Sequence, residues 1–119
     1  MNKNITVLQG DGIGPEIVAQ AIKVMDKIAE KYNHTFNYTY VDIGGCSIDK
    51  FGVPITDEGI EKCKSSDSVL LGAVGGPKWD SVDPSIRPEK ALLKVRRSSD
   101  FSQIFVRQSF FRSFQTLLR

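Results

Sequence analysis

Residues Gly10-Asp11-Gly12-Ile13-Gly14-Pro15-Glu16 limit the fold more than any other stretch of this 119-residue chain. They follow a short apolar run, Ile5-Thr6-Val7-Leu8, and precede a helical pattern. Three glycines in five positions let the backbone turn sharply and approach a neighbour or a ligand closely. Pro15 suits a first helical turn, and Glu16 suits the positive end of the helix dipole. Strand, glycine loop and helix together form a plausible anion or nucleotide site, or a plain tight strand-to-helix turn. The spacing is GxGxG, so the G-x-G-x-x-G dinucleotide fingerprint does not fit.

The rest of the pattern alternates in the same way. Residues 4–8 read as a buried strand and 15–31 as an amphipathic helix. Its apolar face is Ile17, Val18, Ala21, Ile22, Val24, Met25 and Ile28. Tyr32-Asn33-His34 reads as a polar turn. Residues 35–43 alternate as a half-buried strand that Gly44-Gly45 breaks. Residues 56–65 read as a helix capped by Thr56, with Asp57 and Glu58 in its first turn. Ser68-Val69-Leu70-Leu71 reads as a third strand, ending at Gly72-Ala73-Val74-Gly75-Gly76. A proline-containing loop over 77–88 and a helix over about 88–97 follow. Connections of this length imply right-handed crossovers and a largely parallel α/β sheet. Both glycine-rich loops then fall at the carboxyl ends of strands, where such sheets bind ligands.

Bulk properties exclude several classes. A net charge of +2 implies no nucleic-acid partner, and no apolar run approaches the ~18 residues of a membrane span. The first residues lack the apolar region of a signal peptide. Cys46 and Cys63 have no metal-ligand spacing and read as reduced thiols of a cytoplasmic protein. The single histidine, His34, excludes a His-rich metal site.

The loop Gly75-Gly76-Pro77-Lys78-Trp79-Asp80 makes the reading specific, together with Arg87-Pro88-Glu89-Lys90-Ala91-Leu92-Leu93-Lys94-Val95-Arg96. With GDGIGPE and Gly44-Gly45-Cys46-Ser47-Ile48-Asp49, these segments resemble the isocitrate/isopropylmalate dehydrogenase family, and within it the 3-isopropylmalate branch. The resemblance runs from Ile5 to about Arg97. It implies the N-terminal part of an isopropylmalate dehydrogenase-like fold, incomplete, with NAD and Mg2+ or Mn2+ as cofactors. The implied substrate is 3-isopropylmalate, oxidised and decarboxylated in leucine biosynthesis. Related decarboxylating enzymes for isocitrate, homoisocitrate or tartrate are the alternative chemistry, and a non-catalytic remnant is the alternative class.

The resemblance also assigns roles. Arg96 would bind a substrate carboxylate through its planar donor fork, or else be a solvated helix charge. Leu92 would contact the isopropyl group, or else be a core leucine. An apolar residue there leaves a third carboxylate unpaired, which disfavours isocitrate. Glu89 would accept hydrogen bonds from the nicotinamide ribose, compensate the helix dipole, or both. Ile13 would lie near the adenosine end of NAD. Gly75, Gly76, Pro77, Lys78, Trp79, Asp80, Arg87, Pro88 and Glu89 would form the cofactor-side loop, with Trp79 alternatively a packing anchor. Ala91 stands where many relatives have glycine.

Composition changes near Arg97. All ten glycines and all five prolines precede it, whereas five of seven phenylalanines follow it. The family's second substrate arginine, its catalytic tyrosine and lysine, and its metal-binding aspartates are not in register after this point. Joining the third base of each codon to the first two of the next permits Leu-Gly-Leu-Phe-Ala-Asn-Ile-Arg-Pro-Ala-Lys-Leu-Phe-Pro from residue 98 onward. That reading resembles the family's continuation. We therefore expect residues 1–97 to be family sequence and 98–119 to be a frameshifted tail, consistent with one lost base. Such a chain would expose strand edges and apolar helix faces, be prone to aggregate, and not form the homodimer of full-length relatives.

Overall fold

A computed structural model describes residues 2–98 of the chain; the expected tail, 98–119, lies outside the described residues except for Ser98. The elements are β1 (Asn2–Gly10), α1 (Gly14–Tyr32), β2 (Thr35–Tyr40), α2 (Gly45–Phe51), α3 (Asp57–Ser65), β3 (Ser68–Ala73) and α4 (Glu89–Ser98). Two single 3-10 turns, Pro77–Trp79 and Pro84–Ile86, lie between β3 and α4.

The three strands form one parallel sheet in the order β2-β1-β3. The first strand is thus the central one, and its residues are apolar on both sides. Ile5 and Val7 join Val18 of α1 in one core cluster. Leu8 joins Ile43, Ile55, Ile60, Cys63, Ala91 and Val95 in the other, which lies under α3 and α4. Burying a side chain such as Leu8 or Ile43 contributes ~1.5–3 kcal/mol, so these two clusters fix which face each helix covers. Thr6, also buried, satisfies its hydroxyl by donating to the Lys62 carbonyl at 3.1 Å.

The parallel α/β expectation holds, and the boundaries of the expected helices and strands agree to within three residues. The difference is over residues 41–51. The second strand stops at Tyr40, not at residue 43, and Gly44-Gly45 does not simply break the chain. Gly45 begins a seven-residue helix, α2, that the local pattern gave no reason to expect. Ile43 leaves the strand to become fully buried in the core beneath α3 and α4.

Further details concern the face of α1, the sheet edges and the setting of His34. Of the apolar face read for α1, Val18 is buried, whereas Ile17, Val24 and Ile28 are exposed. Each edge strand, β2 and β3, pairs on one side only among the described residues. His34 is not in a purely polar turn: its ring lies between Tyr32 and Phe36, with centroids 6.2 and 6.3 Å away. The turn itself is made by Asn33, whose left-handed backbone caps α1.

Gly10 explains how tightly β1 and β3 close. Its φ is +78°, and a Cβ there would strike the carbonyl oxygen of Ala73. Gly72 and Gly14 are likewise pressed against the carbonyl of Gln9. In the glycine motif, then, Gly10 and Gly14 make room for the chain's own backbone.

Two measurements check this packing. Thr56 Oγ1 accepts from the Gly59 N–H at 3.1 Å, so Thr56→Ala should cost about 1 kcal/mol in urea unfolding. Burial, then the carboxylate of Asp26 that accepts the phenol proton at 2.9 Å, pushes Tyr38 up to about 12 from 10.0. Ionising Tyr38 therefore opposes folding. Its contribution is intact below pH 10 and is lost as pH rises through about 12. A tyrosinate absorbance titration should find one of the three tyrosines late, and Asp26→Asn should bring it earlier.

Candidate functional site

Because every strand is parallel, the loops after β1, β2 and β3 lie along one edge of the sheet. A single carboxylate joins them. Asp11, 5% exposed, accepts the Gly45 N–H at 2.6 Å and the Cys46 N–H at 2.8 Å, both from the start of α2. It also accepts the Gly75 N–H at 2.9 Å from the loop after β3. Burying a carboxylate is costly unless its lone pairs are filled, and three backbone donors fill them here. In turn, Asp11 donates its own N–H to the Ala73 carbonyl at 2.6 Å.

Gly75 carries this frame toward α4. Its φ is +93°, and a Cβ there would sit 3.1 Å from Glu89 Oε1. The chain then passes through the Pro77–Trp79 turn. Lys78 Nζ lies 2.6 Å from Asp49 Oδ2, and the Trp79 indole N–H donates to Asp49 Oδ1 at 3.2 Å. The Lys78 ammonium, then the Trp79 N–H, hold the Asp49 carboxyl below the usual carboxylate range. Lys78 Nζ also stands 5.2 Å from the Trp79 ring centroid.

Gly76, Trp79, Asp80, Arg87, Pro88 and Glu89 line a small open cleft of about 70 Å³. All six were expected on the cofactor side from the resemblance, so the structure brings them together. Gly75, Pro77 and Lys78 belong to the same loop but are not among the lining residues. Ile13 is not among them either; it is the N-cap residue of α1 and is 60% exposed. Glu89, Leu92 and Arg96 fall at i, i+3 and i+7 and so share one face of α4. They span roughly 10 Å at ~1.5 Å per residue. Glu89 and Arg96 are exposed; Leu92 is half-buried against the core below α3 and α4, so it serves packing as well. Lys94, on another face, anchors α4 to Asp57 of α3 at 2.7 Å.

The cleft carries two carboxylates, a guanidinium, an indole and glycine backbone. That set suits a polar ligand with hydroxyl groups and a flat ring. Both cysteines are free, and burial pushes both thiols up, so neither is a ready nucleophile. Among the described residues, no group of three or more His, Cys, Asp or Glu side chains could hold a metal ion, and no helix is long and apolar enough to cross a membrane. The residues that sequence reasoning missed are Asp11 and Asp49. Asp11 was visible as the one acid between the glycines of the motif, but nothing local pointed to its three distant donors.

Comparison with known proteins agrees with this arrangement. The family model described as isocitrate/isopropylmalate dehydrogenase matches residues 4–113. The 3-isopropylmalate dehydrogenase of Clostridium acetobutylicum is 58% identical over 92 residues, 77% of this chain and 26% of its own length. That of Xanthomonas oryzae pv. oryzae is 52% identical over 96 residues, 81% of this chain and 27% of its own. The apo crystal structure of a β-decarboxylating dehydrogenase from Thermococcus kodakarensis superposes with a TM-score of 0.64 at 29% identity. It covers 81% of this chain and 26% of that one. The chain thus spans about a quarter of the length of the relatives it matches.

The Asp11 frame makes a sharp prediction. Asp11→Ala orphans three backbone donors and should cost of order 3 kcal/mol or more. Asp11→Asn should fail to rescue it, because an amide N–H2 faces N–H donors. Hydrogen exchange at the Gly45, Cys46 and Gly75 amides would report the loss; unchanged protection would refute it. A parallel sheet whose strand-end loops are joined at GDGIGPE, followed by the GGPKWD loop and the RPE helix, places this chain in the isocitrate/isopropylmalate dehydrogenase family.

Proposed function

We propose that this chain is the N-terminal part of a cytoplasmic NAD-dependent 3-isopropylmalate dehydrogenase of leucine biosynthesis, the enzyme that converts 3-isopropylmalate to 2-oxoisocaproate. The observation that carries the reading is the meeting of the cleft with α4. Glu89 lines the cleft, and Leu92 and Arg96 continue from it along one helix face. The names of the relatives support the same assignment.

In this reading NAD, when bound, accepts a hydride from the hydroxyl carbon of the substrate. Glu89 accepts hydrogen bonds from the nicotinamide ribose, for which an exposed carboxylate at the cleft wall is suited. Trp79, Gly76 and Asp80 form the facing wall, with Gly75, Pro77 and Lys78 supporting it and Arg87 and Pro88 closing the side. Ile13 is assigned to the adenosine end. Arg96 holds a substrate carboxylate with two parallel N–H donors. Leu92 presents apolar surface to the isopropyl group. A third carboxylate in its place would lose hydration without gaining a partner, which favours isopropylmalate over isocitrate. The described residues do not fit Mg2+ or Mn2+, and no step is assigned to either.

We further propose that residues 98–119 arise from a shifted reading frame and that residues 1–97 are the family portion. The 119-residue chain is then inactive by itself, lacking the groups that orient substrate and stabilise developing charge, and does not form a homodimer. With 3-isopropylmalate, NAD and Mn2+ it should produce no NADH absorbance. Resequencing the coding DNA from codon 90 onward should find LFANIRPAK-like residues in the alternative frame; one further base near codon 97 marks a sequencing error, and the present frame confirmed marks a truncated product. NADH formation by the present chain would overturn the inactivity. An alternative frame without that continuation would overturn the frameshift.

A further inference from the structure

The segment Gly44-Gly45-Cys46-Ser47-Ile48-Asp49 has a purpose that the cofactor loop alone does not explain. Gly45 and Asp49 are four residues apart on α2 and therefore face the same way. Both meet Trp79. A Cβ at Gly45 would run into the middle of the Trp79 ring, at Cε2 and Cδ2, so only glycine leaves room for the indole to lie against the helix. One turn further, Asp49 accepts the indole N–H at 3.2 Å and the Lys78 ammonium at 2.6 Å. The other side of this unit faces the cleft, since Trp79 lines it beside Gly76 and Glu89.

We propose that Gly45 and Asp49 are positioning residues: they form a seat on α2 that fixes the Trp79 indole as a preformed wall of the cleft. The seat rests on contacts within the chain. Its consequence for NAD rests on the cofactor reading given above. The Lys78–Asp49 pair is exposed, at 68% and 43% of side-chain surface, and such pairs contribute little to stability. What the seat supplies is orientation. An indole has two rotatable bonds, and a van der Waals bed at one point with a hydrogen bond at another removes that freedom before a ligand arrives. The arrangement also explains why the Pro77–Trp79 turn stays close to α2 although it is held by a single ion pair and one side-chain hydrogen bond.

Trp79 is the only tryptophan, so its fluorescence reports the seat directly. Acrylamide quenching of the 119-residue chain should find Trp79 shielded relative to the urea-denatured chain. Asp49→Leu removes both acceptors and should raise quenching toward the denatured value. Asp49→Asn keeps an acceptor for the indole and should leave it near the parent value, separating the hydrogen bond from the charge. Gly45→Ala improves helix propensity yet should also raise quenching, so loss of helix cannot account for its effect. Equal quenching in the parent, Asp49→Leu and Gly45→Ala would overturn the seat. A titration with NAD then reads the consequence: Asp49→Leu should bind about tenfold more weakly than the parent, a loss of ~1.4 kcal/mol. If the parent binds no NAD but its quenching still depends on Gly45 and Asp49, the cofactor reading falls and the seat stands. If NAD binds equally to all variants while quenching changes, Trp79 is no wall of the NAD site and the proposed consequence is overturned.

Discussion

One buried carboxylate holds together the edge of the sheet beside which the cleft lies. Asp11 takes N–H groups from the loops that follow β2 and β3 while itself belonging to the loop that follows β1. Three parallel strands end in three loops, and the backbone bond from Asp11 N–H to the Ala73 carbonyl ties only the first to the end of β3. The side chain of this short acid at the first loop supplies the other ties. The side chain is fixed because its neighbours cannot move away without leaving a charge unpaired in a site nearly free of water. Gly75 then abuts Glu89, and Gly45 abuts Trp79. Both walls of the cleft are therefore reached from Asp11 through one glycine each.

This frame also accounts for the glycines of the opening motif. The crevice between β1 and β3 lies where strand order reverses, the place at which α/β sheets commonly take ligands. Here Gly10, Gly14 and Gly72 let the backbones close onto one another, and no space is left at that point. Within the opening motif, Gly12 by contrast faces open space, with a φ of +55°. The cleft lies farther along the chain, between the Pro77–Trp79 turn and the start of α4.

Much of the fold was legible in the chain, for identifiable reasons. The run Ile5 to Leu8 and the amphipathic spacing from Ile17 to Ile28 are local signals, as is the Thr56 cap. Each element they mark exists. Helix α2 was not legible. Two glycines signal a break to any local reading, and the helix begins there only because Asp11, 34 residues earlier, satisfies its first amides. The exposed positions of α1 were also hidden, because the apolar stripe is wider than the sheet it covers. Ile17, Val24 and Ile28 look the same in sequence as Val18, which is buried. At the site, the resemblance indicated which residues gather at the cleft. It gave no role to Asp49, because an acid on a short surface helix looks like a solvated charge until its two partners are located.

The central place of β1 has a consequence for how the chain is made. Synthesis delivers this strand before both of its neighbours, β2 beginning at residue 35 and β3 ending at residue 73. Until then Ile5, Val7 and Leu8 have no sheet to join, and the apolar faces prepared for α1 and α3 stay open. Parallel pairing also needs a long crossover before each contact forms, which makes assembly slow. A nascent chain of this kind passes the ribosome exit with its central strand waiting, and that interval is where a chaperone would have the most to protect.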